Sequence, residues 1–155
     1  MKKLLILPAI ALMFGVAFSS CKKDESNIDV AGTYKGELAI PALGQAPADT
    51  IKNVNLTMVK ESSGWQLKLN QDITIGGIPM PLNVVCPVST SDKDGKVNIQ
   101  GNTIVAFPEP INTPFVGEVT EMPVVVNGNI DGNGNAVINL LMMGGVMNVT
   151  FTGKK

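Results

Sequence analysis

The chain has 155 residues, with 12 lysines against 13 acidic residues and neither arginine nor histidine. A mildly acidic chain without arginine is a poor candidate for phosphate-backbone binding, which depends on basic residues displacing counterions, and nucleic acid is set aside as a partner. Without histidine, no imidazole is at hand to activate a cysteine or serine nucleophile.

Lys2 and Lys3 open the chain, and residues 4–18 then carry no charge. A basic start, an apolar stretch and small residues at a cut form the layout of a secretory signal. The apolar stretch falls short of the ~20 residues a transmembrane helix needs, and Pro8 and Gly15 weaken it further as a span. Ser19-Ser20-Cys21 resembles the lipobox of bacterial lipoproteins, in which the signal is cut before a cysteine that becomes acylated. Phe18, in place of the usual aliphatic residue, resembles the relaxed boxes of certain Gram-negative anaerobes. Lipid attachment is therefore expected at Cys21, and two or more acyl chains would make the membrane a lasting partner. The alternative is an ordinary secreted protein in which Cys21 merely follows the cut. Lys22-Lys23-Asp24-Glu25 looks like the signal that sends some lipoproteins to the outer face of the outer membrane, against a periplasmic-facing alternative. The expected organisation is a signal peptide over 1–20, a flexible tether over 21–28 and one domain over 29–155. With Cys21 acylated, Cys86 is the only thiol left. It forms no internal disulfide and is expected as a small buried hydrophobe.

From residue 30 onward, apolar and polar residues alternate in short runs, the period of half-buried strands. The first run, 30–40, puts Val30, Tyr34, Leu38 and Ile40 on one face, with Gly32 and Gly36 marking a bend or a close backbone approach. Residues 41–48 read as a loop. Val54, Leu56 and Met58 mark the second strand, and the alternation from Trp65 to Leu69 the third. Residues 73–80, with Gly76-Gly77 and nearby prolines, read as strand fragments around a bend. Leu82, Val84, Cys86 and Val88 form the fourth clear strand. Val97, Ile99 and then 104–107 carry the fifth. Segment 108–119 contains Pro108, Pro110 and Pro114, which cannot donate to a ladder, and it is expected as a loop or frayed edge. Met122 to Ile130 alternates again. Asp131-Gly132-Asn133-Gly134 signals a hairpin, and Ala136 to Met142 and Met147 to Phe151 supply the last two strands. No helical periodicity intervenes. The expected fold is all-β: roughly eight strands in an antiparallel meander closing into a barrel.

Val30-Ala31-Gly32-Thr33-Tyr34-Lys35-Gly36, Ile75-Gly76-Gly77-Ile78-Pro79-Met80 and Met147-Asn148-Val149-Thr150-Phe151-Thr152-Gly153-Lys154, in that order behind a lipobox, resemble the calycin-like β-barrel domain of bacterial lipoproteins. The resemblance covers 28–155 and implies an eight-stranded barrel related in shape to lipocalins, without an established activity. Gly32-Thr33-Tyr34 looks like the lipocalin Gly-x-Trp with tyrosine in place of tryptophan. The arginine that packs on that ring in lipocalins has no counterpart here.

Candidate chemistry is sparse. Asp131-Gly-Asn133-Gly-Asn135 has the oxygen spacing of half a calcium loop, but Ala136 and Met142 stand where glycine and glutamate are required, which favours a plain turn. Met142, Met143 and Met147 suit core filling better than a soft-metal site. Asp92, Asp94, Glu109, Glu118 and Glu121 are expected as solvated carboxylates. Asp49-Thr50-Ile51 resembles a short O-glycosylation motif, placing a possible glycan on Thr50. The expectation is a non-enzymatic envelope lipoprotein without cofactor or metal. It would bind a small apolar or amphipathic ligand lined by Tyr34, Trp65, Met142 and Phe151. The alternative is a solid barrel that binds a protein partner through segment 108–119.

Overall fold

Turn residues cut the alternating chain into eight strands: β1 (Gly32–Ile40), β2 (Asp49–Glu61), β3 (Gly64–Ile75), β4 (Ile78–Lys93), β5 (Lys96–Thr113), β6 (Gly117–Asp131), β7 (Asn135–Met142) and β8 (Met147–Lys154). A single 3-10 turn, Met143–Gly145, separates the last two. The structure, a computed structural model, describes residues 27–113 and 117–155. The signal, Cys21 and most of the tether lie outside the described residues.

Each strand pairs antiparallel with the next, and β1 pairs with β8, so the meander closes into a barrel. Closure removes the free edges along which sheets aggregate. Because the chain goes up and down, one end of the barrel gathers Asp29, the turns after β2, β4 and β6, and Lys155. We call it the proximal end. The distal end gathers the 41–48 connection, the Gly76-Gly77 turn, the ends of β5 and β6, and the 3-10 turn.

Inward side chains are apolar on every strand and sealed from solvent, among them Tyr34, Leu56, Leu69, Val84, Ile138 and Phe151, all at 0–1 % exposure. The one phenol in this core is satisfied: Tyr34 Oη donates to the carbonyl of Val30 over 2.9 Å. Small residues share the interior with the rings. Gly36 on β1 faces Gly153 on β8, and Gly153 faces Ala136 on β7. A Cβ on Gly36 would lie 2.1 Å from the carbonyl oxygen of Thr152. Glycine thus lets β8 approach where β1 changes register after Gly36.

At the proximal end, Lys155 ties the two ends of the domain together. Its ammonium contacts Asp29 Oδ2 (2.8 Å) and the Asp29 carbonyl (3.1 Å), and its backbone N–H donates to Gly134 (3.0 Å). Asp131 organises the adjacent turn. Its Oδ1 accepts the N–H groups of Asn133 and Asn135 at 2.9 Å each, and its Oδ2 accepts the Asn135 amide at 2.8 Å. The oxygens that the calcium-like spacing brought to notice are spent on this Asx-type turn.

The bend expected within 73–80 is a two-residue turn: β3 and β4 pair without interruption to Ile75↔Ile78, across Gly76 and Gly77 with φ of 60° and 82°. Pro79 and Pro81 are tolerated because their backbones turn away from β3, as argued below. Segment 108–119, expected as a loop or frayed edge, is strand over its described residues 108–113 and 117–119, with frayed pairing at its start. β5 continues to Thr113, and pairing with β6 resumes at Ile111↔Val119 after breaking beyond Ala106↔Glu121. The break spans 107–110, so Pro108 and Pro110 fall where no ladder donor is required. Ile104 on β5 faces outward and is 61 % exposed.

Candidate functional site

The barrel opens by unequal pairing. The β4–β5 ladder runs from Lys93↔Lys96 only to Val88↔Gly101, whereas β3–β4 pairing continues to the distal turn. The β2–β3 ladder likewise stops at Leu56↔Leu69. The β3–β4 and β5–β6 hairpins therefore extend past their neighbours and part at the distal end.

Proline explains why the β4–β5 seam stays open. The carbonyl of Val85 turns toward β5, where Thr103 Oγ1 donates to it over 2.9 Å. Pro79, Pro81 and Pro87 occupy the same period-two positions on β4. Three of the residues whose N–H should bridge to β5 thus have none, and a ladder cannot form there.

Between the parted hairpins lie two neighbouring spaces. One is an apolar hollow of ≈ 200 Å³ under the distal mouth, lined by Phe107, Val119, Met122 and Met143, with Thr113 and Glu121 as its polar members. The Thr113 hydroxyl is turned to the Gly117 carbonyl at 3.0 Å. The other is an open slot of ≈ 640 Å³ between the hairpins, lined by Pro79, Pro81, Pro108 and Pro110 and flanked by Asp72 and Glu109. Met80 and Ile111 belong to both linings, so the two spaces are neighbours.

The residues expected to line a pocket lie elsewhere. Tyr34, Met142 and Phe151 are fully sealed in the central core. Trp65 is half-buried beside the proximal β2–β3 turn, with the Lys60 ammonium 5.7 Å from its ring centre, and it borders a surface groove with Pro87 and Gly101. Met142 pairs with Met147 across β7 and β8, both buried, while Met143 reaches the hollow. Thr50 is exposed at the start of β2, on a strand rather than the expected loop, and its N–H is held by Asp49 Oδ1 at 2.7 Å. Of the carboxylates, Glu109 and Glu121 come to the mouth, joined by Asp72. Asp92 lies on the β4 side of the proximal turn and Asp94 within it. Sequence reasoning passed over Met80, Phe107 and Ile111. The available signal was the repetition of proline at alternate positions 79, 81 and 87, which marks an unpaired edge.

Burial pushes the Cys86 thiol up to about 11, and Sγ points to the Pro87 carbonyl over 3.4 Å. Burial, with a smaller contribution from the Asp29 carboxylate, pushes the Tyr34 phenol up to about 12. Both folded values exceed the unfolded ones, so both groups stabilise the fold fully below pH ~9. That stability is lost as pH rises through 9–12, because the unfolded chain ionises more readily. Thermal melts of the wild-type protein should therefore fall steeply over this range. Tyr34→Phe should flatten the upper part of the decline and Cys86→Ala the lower part. Identical pH profiles for wild type and the double variant would contradict the assignment.

No family model, curated protein or solved structure matches the chain.

Proposed function

We propose that this is a non-enzymatic, lipid-anchored protein of the outer membrane that presents a binding site for an apolar or amphipathic ligand at the barrel end facing away from its anchor. The observation that carries the reading is the apolar hollow under the distal mouth, in a barrel whose middle is filled with side chains. At ≈ 200 Å³ it is on the scale of the roughly 150 Å³ apolar cavities that take up benzene. The calycin-like resemblance and the lipobox-like Ser19-Ser20-Cys21 support the envelope setting. The tether would leave from Asp29 at the proximal end, so an anchored barrel holds its mouth toward the surroundings.

Titration with the neutral probe N-phenyl-1-naphthylamine tests the reading. Wild type should bind with a micromolar Kd. Ile111→Trp, which fills the hollow from its half-buried rim, should weaken binding at least roughly tenfold, the loss expected when an apolar contact worth ~1.4 kcal/mol is removed. Thr50→Ala, on the outer face, should bind as wild type does. Equal binding by all three proteins would remove the hollow as the site.

A second reading has its own observation. Ile104 (61 % exposed) and Val125 (48 %) are diagonal neighbours on the outer face of β5 and β6, with Val85 (45 %) across the seam. Such a patch suits a protein partner. Capture of an envelope protein by wild type but not by Ile104→Asp would support it.

A further inference from the structure

The shape and charge of the neighbouring hollow and slot say more about the ligand than its apolar character, and the following rests on the hollow being the binding site. We propose that the site takes an elongated amphiphile end-on, with its apolar tail in the hollow and a cationic, hydrogen-bond-donating head, a primary ammonium, in the proline slot.

Length comes first. A ligand confined to ≈ 200 Å³ would be small, but the hollow and the slot are neighbours that share Met80 and Ile111 in their linings, so a longer ligand can reach from one to the other past these two side chains. A chain whose end is seated against Phe107, Met122 and Met143 can continue between the β3–β4 and β5–β6 hairpins. The missing N–H groups of β4 keep that path from zipping shut.

Head-group chemistry follows from what the slot offers. Four of its lining residues, Pro79, Pro81, Pro108 and Pro110, have carbonyls and no N–H. Asp72 and Glu109 flank the slot and Glu121 borders the hollow, all three exposed at the mouth, so the entrance carries acceptors and negative charge. Among the described residues, no lysine lines either space. Five of the described lysines, Lys60, Lys93, Lys96, Lys154 and Lys155, lie at the opposite end beside the proximal turns and the chain end. A concave site with one sign of charge attracts the opposite sign and repels its own. An alkyl carboxylate would find few donors and three carboxylates. An alkyl ammonium would find acceptors for its protons and a favourable field.

Calorimetric titration of the Cys21→Ser protein, free of acyl chains, with decylamine, 1-decanol and decanoate below their aggregation limits at pH 7 tests this. Decylamine should bind tightest and decanoate weakest, with a gap of at least roughly tenfold between the two charged probes, narrowing in 0.5 M salt as screening takes effect. The triple variant Asp72→Asn, Glu109→Gln, Glu121→Gln should bring decylamine down to the affinity of decanol while leaving decanol unchanged. Equal affinity for all three probes, or a preference that survives the triple variant, overturns the cationic assignment and leaves the hollow standing. Failure of every probe to bind the Cys21→Ser protein with its three carboxylates intact overturns both.

Discussion

Replacing Gly36 by alanine should cost the barrel on the order of 3 kcal/mol, the upper part of the range for overpacking a close-packed interior, and should lower the melting temperature by well over 10 °C. The added carbon would lie 2.1 Å from the Thr152 oxygen, 2.5 Å from the Gly153 Cα and 2.7 Å from the Thr152 carbonyl carbon. All three are backbone atoms of the strand that closes the barrel, so no side chain can rotate out of the way. Relief requires β1 and β8 to separate, which strains the pairs from Lys35↔Lys154 to Ala39↔Thr150. Gly132→Ala is the matched control. It changes the same residue type in an exposed turn where the new carbon meets nothing within 4 Å, and it should stay within about 0.5 kcal/mol of wild type. Urea unfolding of the two variants side by side decides the matter. Comparable midpoints would mean that the β1–β8 contact is looser than the geometry requires.

Cys21→Ser should have the largest effect on location and almost none on folding. Without the thiol no thioether can form, and the acidic domain offers no polybasic patch to replace acyl chains at a membrane. The cysteine precedes all eight strands and every core residue of the barrel. Membrane fractionation should find wild type in the membrane pellet and the variant either unprocessed or released. Intact mass should show acyl chains on wild type alone. Thermal melts of the two barrels should coincide. A wild-type protein without acyl mass would refute the anchor, as would a processed variant that stays on the membrane.

The strands were legible because period-two alternation is a local property: each of Leu82, Val84, Cys86 and Val88 declares its face without reference to the rest of the fold. The hairpin at Asp131 was legible for the same reason, since the carboxylate that organises it acts within four residues. The site was not legible. Alternation tells which face a residue takes and nothing of its height along the barrel axis. Tyr34, Met142 and Phe151 are large and inward, which suggested pocket walls, but in a small barrel the largest inward side chains fill the middle. The hollow forms where ladders end, at Met80, Phe107 and Ile111, and ladder lengths depend on pairing partners distant in sequence. Segment 108–119 was half legible for the same reason: the frayed pairing was expected, and the strand that resumes at Ile111 was not. Proline forbids a donor on one side only, and which side carries a neighbour is decided by the whole sheet. Pro108 and Pro110 therefore interrupt the β5–β6 hairpin without ending it.

The bond between Lys155 and Asp29 gives the molecule the topology of a ring cut at one place. The ends of the domain meet within the reach of two side chains, and β1 and β8 are already hydrogen-bonded neighbours, so the position of the cut is incidental to the sheet. A short linker from residue 155 to residue 29, with new termini opened between Gly76 and Gly77, would leave all eight ladders in place while moving the free ends to the distal mouth. In such a circular permutant the mouth would sit beside whatever its termini were attached to, a surface, a dye or a second protein, rather than at the far pole from it.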